Sequence, residues 1–123
     1  MERMPVNAVF TEKMQNGLPV FAQLVQMGKD CTICVWGGDT PHVGSVVMST
    51  ARPSLTGSGV GVTSSVLNGI GHVARKFAEA AAEKFVCTAV CSCGIHIDDI
   101  TPAQLQEVST VCDKLLKQVI WDA

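Results

Sequence analysis

Through the first half of the chain apolar residues fall at alternate positions, and beyond residue 72 the interval lengthens to three or four. A period of two marks a strand with one buried face, and a period near 3.6 marks an amphipathic helix. On that basis residues 6–11 predict a first strand, and Asn16-Gly17 a hairpin turn. Residues 18–27 alternate as a second strand, with Val20, Ala22, Leu24 and Gln26 on one face. Gly28-Lys29-Asp30 turns the chain into a third strand over 31–36, which Gly37-Gly38-Asp39-Thr40-Pro41 breaks. A fourth strand over 43–49 is mostly apolar, the mark of a central position, and a shorter fifth follows over 59–65. From 72 to 85, Val73, Phe77, Ala81 and Phe85 recur every four residues, with Arg75, Lys76, Glu79 and Glu83 on the other side. That is an amphipathic helix. Residues 86–95, rich in β-branched and small apolar types, predict a buried sixth strand. Thr101-Pro102-Ala103-Gln104 then supplies an N-cap, a proline at N1 and a glutamine at N3 for a last helix. Its apolar stripe is Leu105, Val108, Cys112, Leu115, Leu116, Val119 and Ile120. The predicted fold is α+β: a mostly antiparallel sheet of five or six strands with two helices packed on it, in a single domain over 1–123.

Composition narrows the classes of function. At 123 residues the chain is long enough for a core without disulfides. With 47% hydrophobic and 16% charged residues it folds, and it has little polar surface to spare. That favours a homo-oligomer, joined through a sheet edge or a helix face. The net charge of −2 and the lack of any Lys/Arg run argue against nucleic acid. No apolar run approaches the ~20 residues that cross a bilayer, and Met1-Glu2-Arg3-Met4-Pro5 precedes no signal-type apolar stretch. The expected location is cytoplasmic, where the six cysteines stay reduced. Cys31 and Cys34, three apart on a strand, would point to opposite faces and share no ion. Cys87, Cys91 and Cys93 would share one face. The expectation is that they behave as small buried hydrophobes, since no second zinc knuckle appears.

Candidate chemistry concentrates in residues 36–72, which hold eight of the eleven glycines and two of the three histidines. Asp39 would accept from backbone amides in a turn, and His42, after Pro41, is aimed by a stiff backbone. Arg52 suits bidentate contact with a carboxylate or phosphate, or else a surface ion pair. Thr63, Ser64, Ser65 and Asn68 precede the first helix, where they would hold an anion or merely cap it. His72 and His96 each follow a glycine-containing turn. No serine or cysteine is paired with an evident base. Gly57-x-Gly59-x-Gly61 lacks the strand-then-helix context of a dinucleotide fingerprint.

Five blocks in order carry a resemblance: Gly37-Gly38-Asp39-Thr40-Pro41-His42-Val43-Gly44, Arg52-Pro53-Ser54-Leu55, Thr63-Ser64-Ser65-Val66-Leu67-Asn68, Gly71-His72 and Gly94-Ile95-His96-Ile97-Asp98. Over residues 18–120 the chain resembles the LpdD-like family of prenylated-flavin chaperones. The cysteines at 87–93 and Gly69-Ile70 depart from the family pattern. The resemblance implies a fold similar to that of proteasome-assembly chaperones. It also implies a non-catalytic accessory role, helping a UbiD-type decarboxylase of gallate-like aromatic acids acquire or keep prenylated flavin mononucleotide (FMN). The implied cofactor is prenylated FMN or FMN, and the implied partner is the decarboxylase subunit. For the flavin phosphate, Arg52, Ser54, Ser64, Ser65 and the helix start at His72 would serve. His42 and His96 would meet the ring system or a carboxylate, and Asp39, Asn68 and Asp98 complete the candidate set. Three rivals stand beside this reading. One is a small enzyme with His42 or His96 as acid–base beside Asp39 or Asp98. Another is a metal-binding subunit using the three histidines. The last is a pure assembly module. Any pocket shared by His42 and Arg52 faces a separation of up to ~30 Å along a straight strand, so the loop must fold back or a second subunit must contribute.

Overall fold

In chain order the elements are β1 (Val9–Lys13), β2 (Pro19–Met27), β3 (Asp30–Gly38), β4 (Ser45–Pro53), β5 (Val60–Asn68), α1 (His72–Phe85), β6 (Thr88–His96) and α2 (Pro102–Leu116). They come from a computed structural model that describes residues 8–53, 60–69 and 72–121. The six strands form one sheet in the order β1-β2-β3-β6-β4-β5. Every pairing is antiparallel except β3 with β6, which is parallel. The predicted α+β class therefore stands. The first predicted strand begins outside the described residues, at Val6 and Asn7, and β1 itself runs on to Lys13.

The local rules hold where the sequence stated them. Gly17 takes φ +89° in the turn after β1, and the Asn16 Oδ1 accepts from the Leu18 amide at 3.0 Å. Thr101 caps α2 in a full capping box, its Oγ1 accepting from Gln104 N at 3.1 Å while Gln104 Oε1 accepts from Thr101 N at 3.0 Å. Past Leu116 the helix widens into a π-turn, Lys117–Trp121, that keeps Val119 and Ile120 buried. No helix among the described residues is long and apolar enough to cross a membrane.

Alternation sorts the strands as expected. Val20, Ala22 and Leu24, then Cys31, Ile33 and Val35, then Ala89, Cys91 and Cys93 are buried on one face. Phe77, Ala78, Ala81 and Phe85 of α1 and Val111, Cys112 and Leu115 of α2 close over them as a single core. Gln26, predicted on the same face, is exposed at the end of β2, where its Nε2 donates to the Gly28 carbonyl at 2.8 Å. Several boundaries differ from the sequence reading: β4 begins at Ser45, β6 begins at Thr88, and the fifth strand, expected to be shorter and to end at 65, runs the nine residues Val60–Asn68. Two further differences bear on the site. Gly37 and Gly38 do not break β3: they pair with Ile95 and His96 of β6, and a Cβ on Gly37 would strike the Pro19 backbone. The glycines are thus needed for close packing inside the sheet. The fourth strand continues to Pro53, because Ala51, Arg52 and Pro53 pair with Val62, Gly61 and Val60.

All six cysteines are free, and five are buried, Cys34 being the half-exposed one. Burial pushes the thiols of Cys31 and Cys112 up to about 12 and Cys93 up to about 11, from an ordinary 9.0. Burial raises Cys91 and Cys87 too. The folded state therefore holds protons that the unfolded chain releases above pH 9. Stability is full below pH 9 and falls as the pH climbs toward 12. Thermal melts between pH 8 and pH 11 should show a declining Tm, and Cys31→Ala with Cys112→Ala should flatten that decline.

Candidate functional site

The sheet order dictates the site. β6 lies between β3 and β4, so the β3–β4 connection must step over the carboxyl end of β6. Residues 39–44 do this, tied at both ends. The Asp39 and Thr40 amides donate to the His96 carbonyl at 2.7 and 3.4 Å, and the Gly44 amide donates to the Cys93 carbonyl at 3.0 Å. Between these anchors the chain lies so close to Gly94 that a Cβ there would fall on the His42 carbonyl oxygen. Gly38, at φ +80°, meets the His96 backbone in the same way.

This crossing brings four predicted residues together. Asp39 Oδ2 accepts from the Asp98 amide at 2.8 Å, and His96 Nε2 lies 3.1 Å from Asp98 Oδ1. The His42 ring stands edge-on to His96, centroids 6.2 Å apart at 79°, with its Nδ1 3.3 Å from the Thr40 carbonyl oxygen. His96 and Asp98 side chains are 52% and 71% exposed, so their pairing is solvent-screened and positions the ring more than it stabilises the fold.

Beside the crossing is a cleft of about 440 Å³ between the ends of β4 and β6 and the first turns of α1 and α2. Val73, Ala74, Ile95, Leu105 and Val108 make its apolar walls, and His42, His72 and Ser45 its polar lip. The volume falls within the ~300–1,000 Å³ typical of small-molecule sites. Val73 and Ala74 open α1, so amides with no intrahelical partner lie at the cleft. Cys93 also lines it, and burial pushes that thiol up to about 11, which favours its protonated form at neutral pH. Leu105, expected in the buried stripe of α2, is 60% exposed at this lip.

The other predicted residues lie elsewhere. Arg52 is exposed at the far end of β4, alongside Gly61, with Ala51 next to the Cys87 carbonyl. Within one chain it does not join His42. Ser64 turns to the helix side, where it donates to Glu79 Oε2 at 2.6 Å and sits 2.8 Å from Oγ of the fully buried Ser49. Ser65 is exposed on the opposite face. Asn68 pairs by its backbone with Val46, next to Ser45 of the lip. Ser54 lies outside the described residues. Among the described residues no three His, Cys, Asp or Glu side chains are placed to hold a metal ion.

The fold is similar to that of a solved structure. A structure titled "Crystal Structure of a Novel Chaperone Complex for Yeast 20S Proteasome Assembly" matches with a TM-score of 0.57 over 94% of this chain and 97% of that one. Its 18% identity bears on the fold alone. Residues 14–123 match the family described as "Prenylated flavin chaperone LpdD-like domain", and the chain belongs to that family. Protein LpdD of Lactiplantibacillus plantarum is 29% identical over 119 residues, which cover 92% of this chain and 82% of its own. Membership supports a non-catalytic, chaperone-type role.

Proposed function

We infer that the protein is a cytoplasmic accessory factor that binds prenylated FMN or FMN and delivers it to, or helps it assemble with, a UbiD-type aromatic acid decarboxylase. The observation that carries this reading is the cleft of about 440 Å³, with apolar walls and two imidazoles among its lining residues. The family's description as a prenylated flavin chaperone points to the same ligand. On this reading Val73, Ile95, Leu105 and Val108 hold the apolar part, which water would otherwise surround. His42 and His72 donate to the polar edge or the phosphate, with the first amides of α1 behind His72. Asp39, His96 and Asp98 keep the crossing segment, and so His42, in place. Arg52 has no part in this cleft within a single chain. The flavin supplies the redox-active ring system, and the protein's own task is to bind, orient and shield it.

Titration of the purified protein with FMN and with prenylated FMN, followed by flavin fluorescence, tests this. The parent should saturate. His42→Ala and His72→Ala should each weaken binding about tenfold, the equivalent of one hydrogen bond of ~1.4 kcal/mol. A co-expressed decarboxylase should gain less holoenzyme with either variant. A parent that takes up neither flavin, or variants that bind like the parent, would overturn the cleft as the flavin site.

A further inference from the structure

Around the mouth of the cleft the fold leaves large apolar side chains in water. Val43 follows His42 in the crossing segment and is 67% exposed, and Leu105 is exposed at the lip. Leu67, also exposed, lies two residues before Gly69, where a Cβ would strike the Gly44 carbonyl oxygen and Ser45 Oγ. The end of β5 thus abuts the same lip. Ile100, exposed too, precedes the Thr101 cap of α2, whose carbonyl accepts from the Leu105 amide at 2.9 Å. Single exposed apolar residues need no explanation, but a group of them at one end of a domain, bordered by polar ones, marks a contact surface. The border here is acidic. Asp39, Asp98 and Asp99 are exposed at the exits of β3 and β6, Asp99 at φ +51° in the turn before α2. Among the described residues, Arg75 and Lys76 in the opening turns of α1 supply cations at this end, and Lys76 is paired with Asp113 at 3.4 Å.

We propose that this end of the molecule docks the cofactor-free form of the flavoenzyme it serves, cleft against empty cofactor site, through Val43, Leu67 and Ile100 with Asp99 at the rim. The proposal rests on the flavin reading above and adds to it the surface and the charge by which the partner is met. Two features select this occupant. The apolar group surrounds the opening of the cleft, so whatever covers it also faces the ligand's way out, and an apolar ligand then passes between proteins without entering water. The exposed carboxylates call for cations opposite. An enzyme that holds a flavin phosphate carries such cations at its site, and a bound phosphate offsets them. The acidic rim therefore favours the empty enzyme over the loaded one. A second copy of this chain would bring the same excess of carboxylates and would seal the exit of the cleft.

The test flows a purified UbiD-type decarboxylase, prepared without cofactor and loaded with it, over the immobilised protein. The empty enzyme should bind, and the loaded enzyme about tenfold more weakly. Val43→Glu and Leu67→Glu should each weaken binding of the empty enzyme about tenfold, the loss typical of a buried anchor residue. Flavin titration and far-UV circular dichroism of these variants should stay those of the parent. Asp99→Asn, which keeps a residue tolerant of positive φ, should slow association and reduce its dependence on salt. If Val43→Glu loses flavin binding as well, the crossing segment has moved, and Leu67→Glu with Ile100→Glu decides. Variants that hold flavin and bind the empty enzyme like the parent would overturn the docking surface and leave the flavin reading intact. A parent that takes up neither flavin, yet binds the empty enzyme through these residues, would uphold the surface and overturn the flavin reading. Equal binding of empty and loaded enzyme would overturn the charge argument. No binding of either form, with light scattering showing that Val43→Glu splits a dimer of this chain, would give the surface to a second copy instead.

Discussion

Replacing Gly94 by alanine is expected to empty the cleft of its lip and reduce flavin capture about a hundredfold. The new Cβ would occupy the position of the His42 carbonyl oxygen and stand 3.1 Å from the Val43 nitrogen. Both are backbone atoms, so no side chain can rotate out of the way. Residues 39–44 must lift, and they are held by Asp39 N to His96 O at 2.7 Å and Gly44 N to Cys93 O at 3.0 Å. Each such bond is worth about 0.5–1.5 kcal/mol, and overpacking of this kind costs about 1–3 kcal/mol. The loss falls on the strands' carboxyl end, and with it His42 leaves the lip. A hundredfold loss corresponds to about 2.7 kcal/mol. Gly61→Ala is the control: its Cβ would meet nothing nearer than Arg52 Nε at 3.5 Å, an ordinary contact. Flavin titration and thermal melts of the pair check the argument. A Gly94→Ala protein that binds and melts like the parent would show that the crossing segment yields freely.

Phe77→Ala is expected to be the most destabilising of the simple core truncations. Phe77 and Phe85 are 1% and 0% exposed, and α1 uses both to reach the sheet. Removing such a ring costs about 3–5 kcal/mol, transfer and cavity together. A domain of this size has only about 5–15 kcal/mol in total. The Tm should fall by about 10–20 °C, scaled from the size dependence of unfolding entropy. Urea unfolding should show the same slope with a lower midpoint. Because His72, Val73 and Ala74 begin the same helix, ligand binding should weaken as α1 loosens, even though Phe77 itself lies away from the cleft.

The sequence carried its elements openly because period alone distinguishes a half-buried strand from an amphipathic helix. Val20-x-Ala22-x-Leu24 and the Thr101 capping box needed no tertiary knowledge. Strand neighbours are another matter, since alternation says which face is buried and nothing about which strand lies alongside. The placing of β6 between β3 and β4 was therefore invisible, and so was the crossing it forces. His42 and His72 were legible as candidates because glycines and polar side chains surround them. The cleft walls were not, for Val73, Leu105 and Val108 look like any other members of an apolar helix stripe. Gly94 did leave a signal: an isolated glycine inside a strand marks a close backbone approach. Glu79 was read onto the solvent side of α1, yet it accepts from Ser64, which the alternation of β5 turns inward. Arg52 attracted attention by its guanidinium and its place in the Arg52-Pro53-Ser54-Leu55 block, and its position was decided by the length of β4.

The strand that joins the sheet is also among the last to be made. β1, β2 and β3 pair as neighbours, and β4 pairs with β5, each antiparallel to a strand adjacent in sequence. Among the described residues no strand pairing joins the two groups except through β6, whose partners Ile33 and Val47 precede Cys91 by more than forty residues. A chain emerging from the ribosome therefore carries two separate ribbons, each with one greasy side, until residues 88–96 appear. Non-local pairing of this sort is slow and leaves strand edges open while it waits. A protein whose own family is described as chaperones thus spends part of its synthesis with open strand edges of its own.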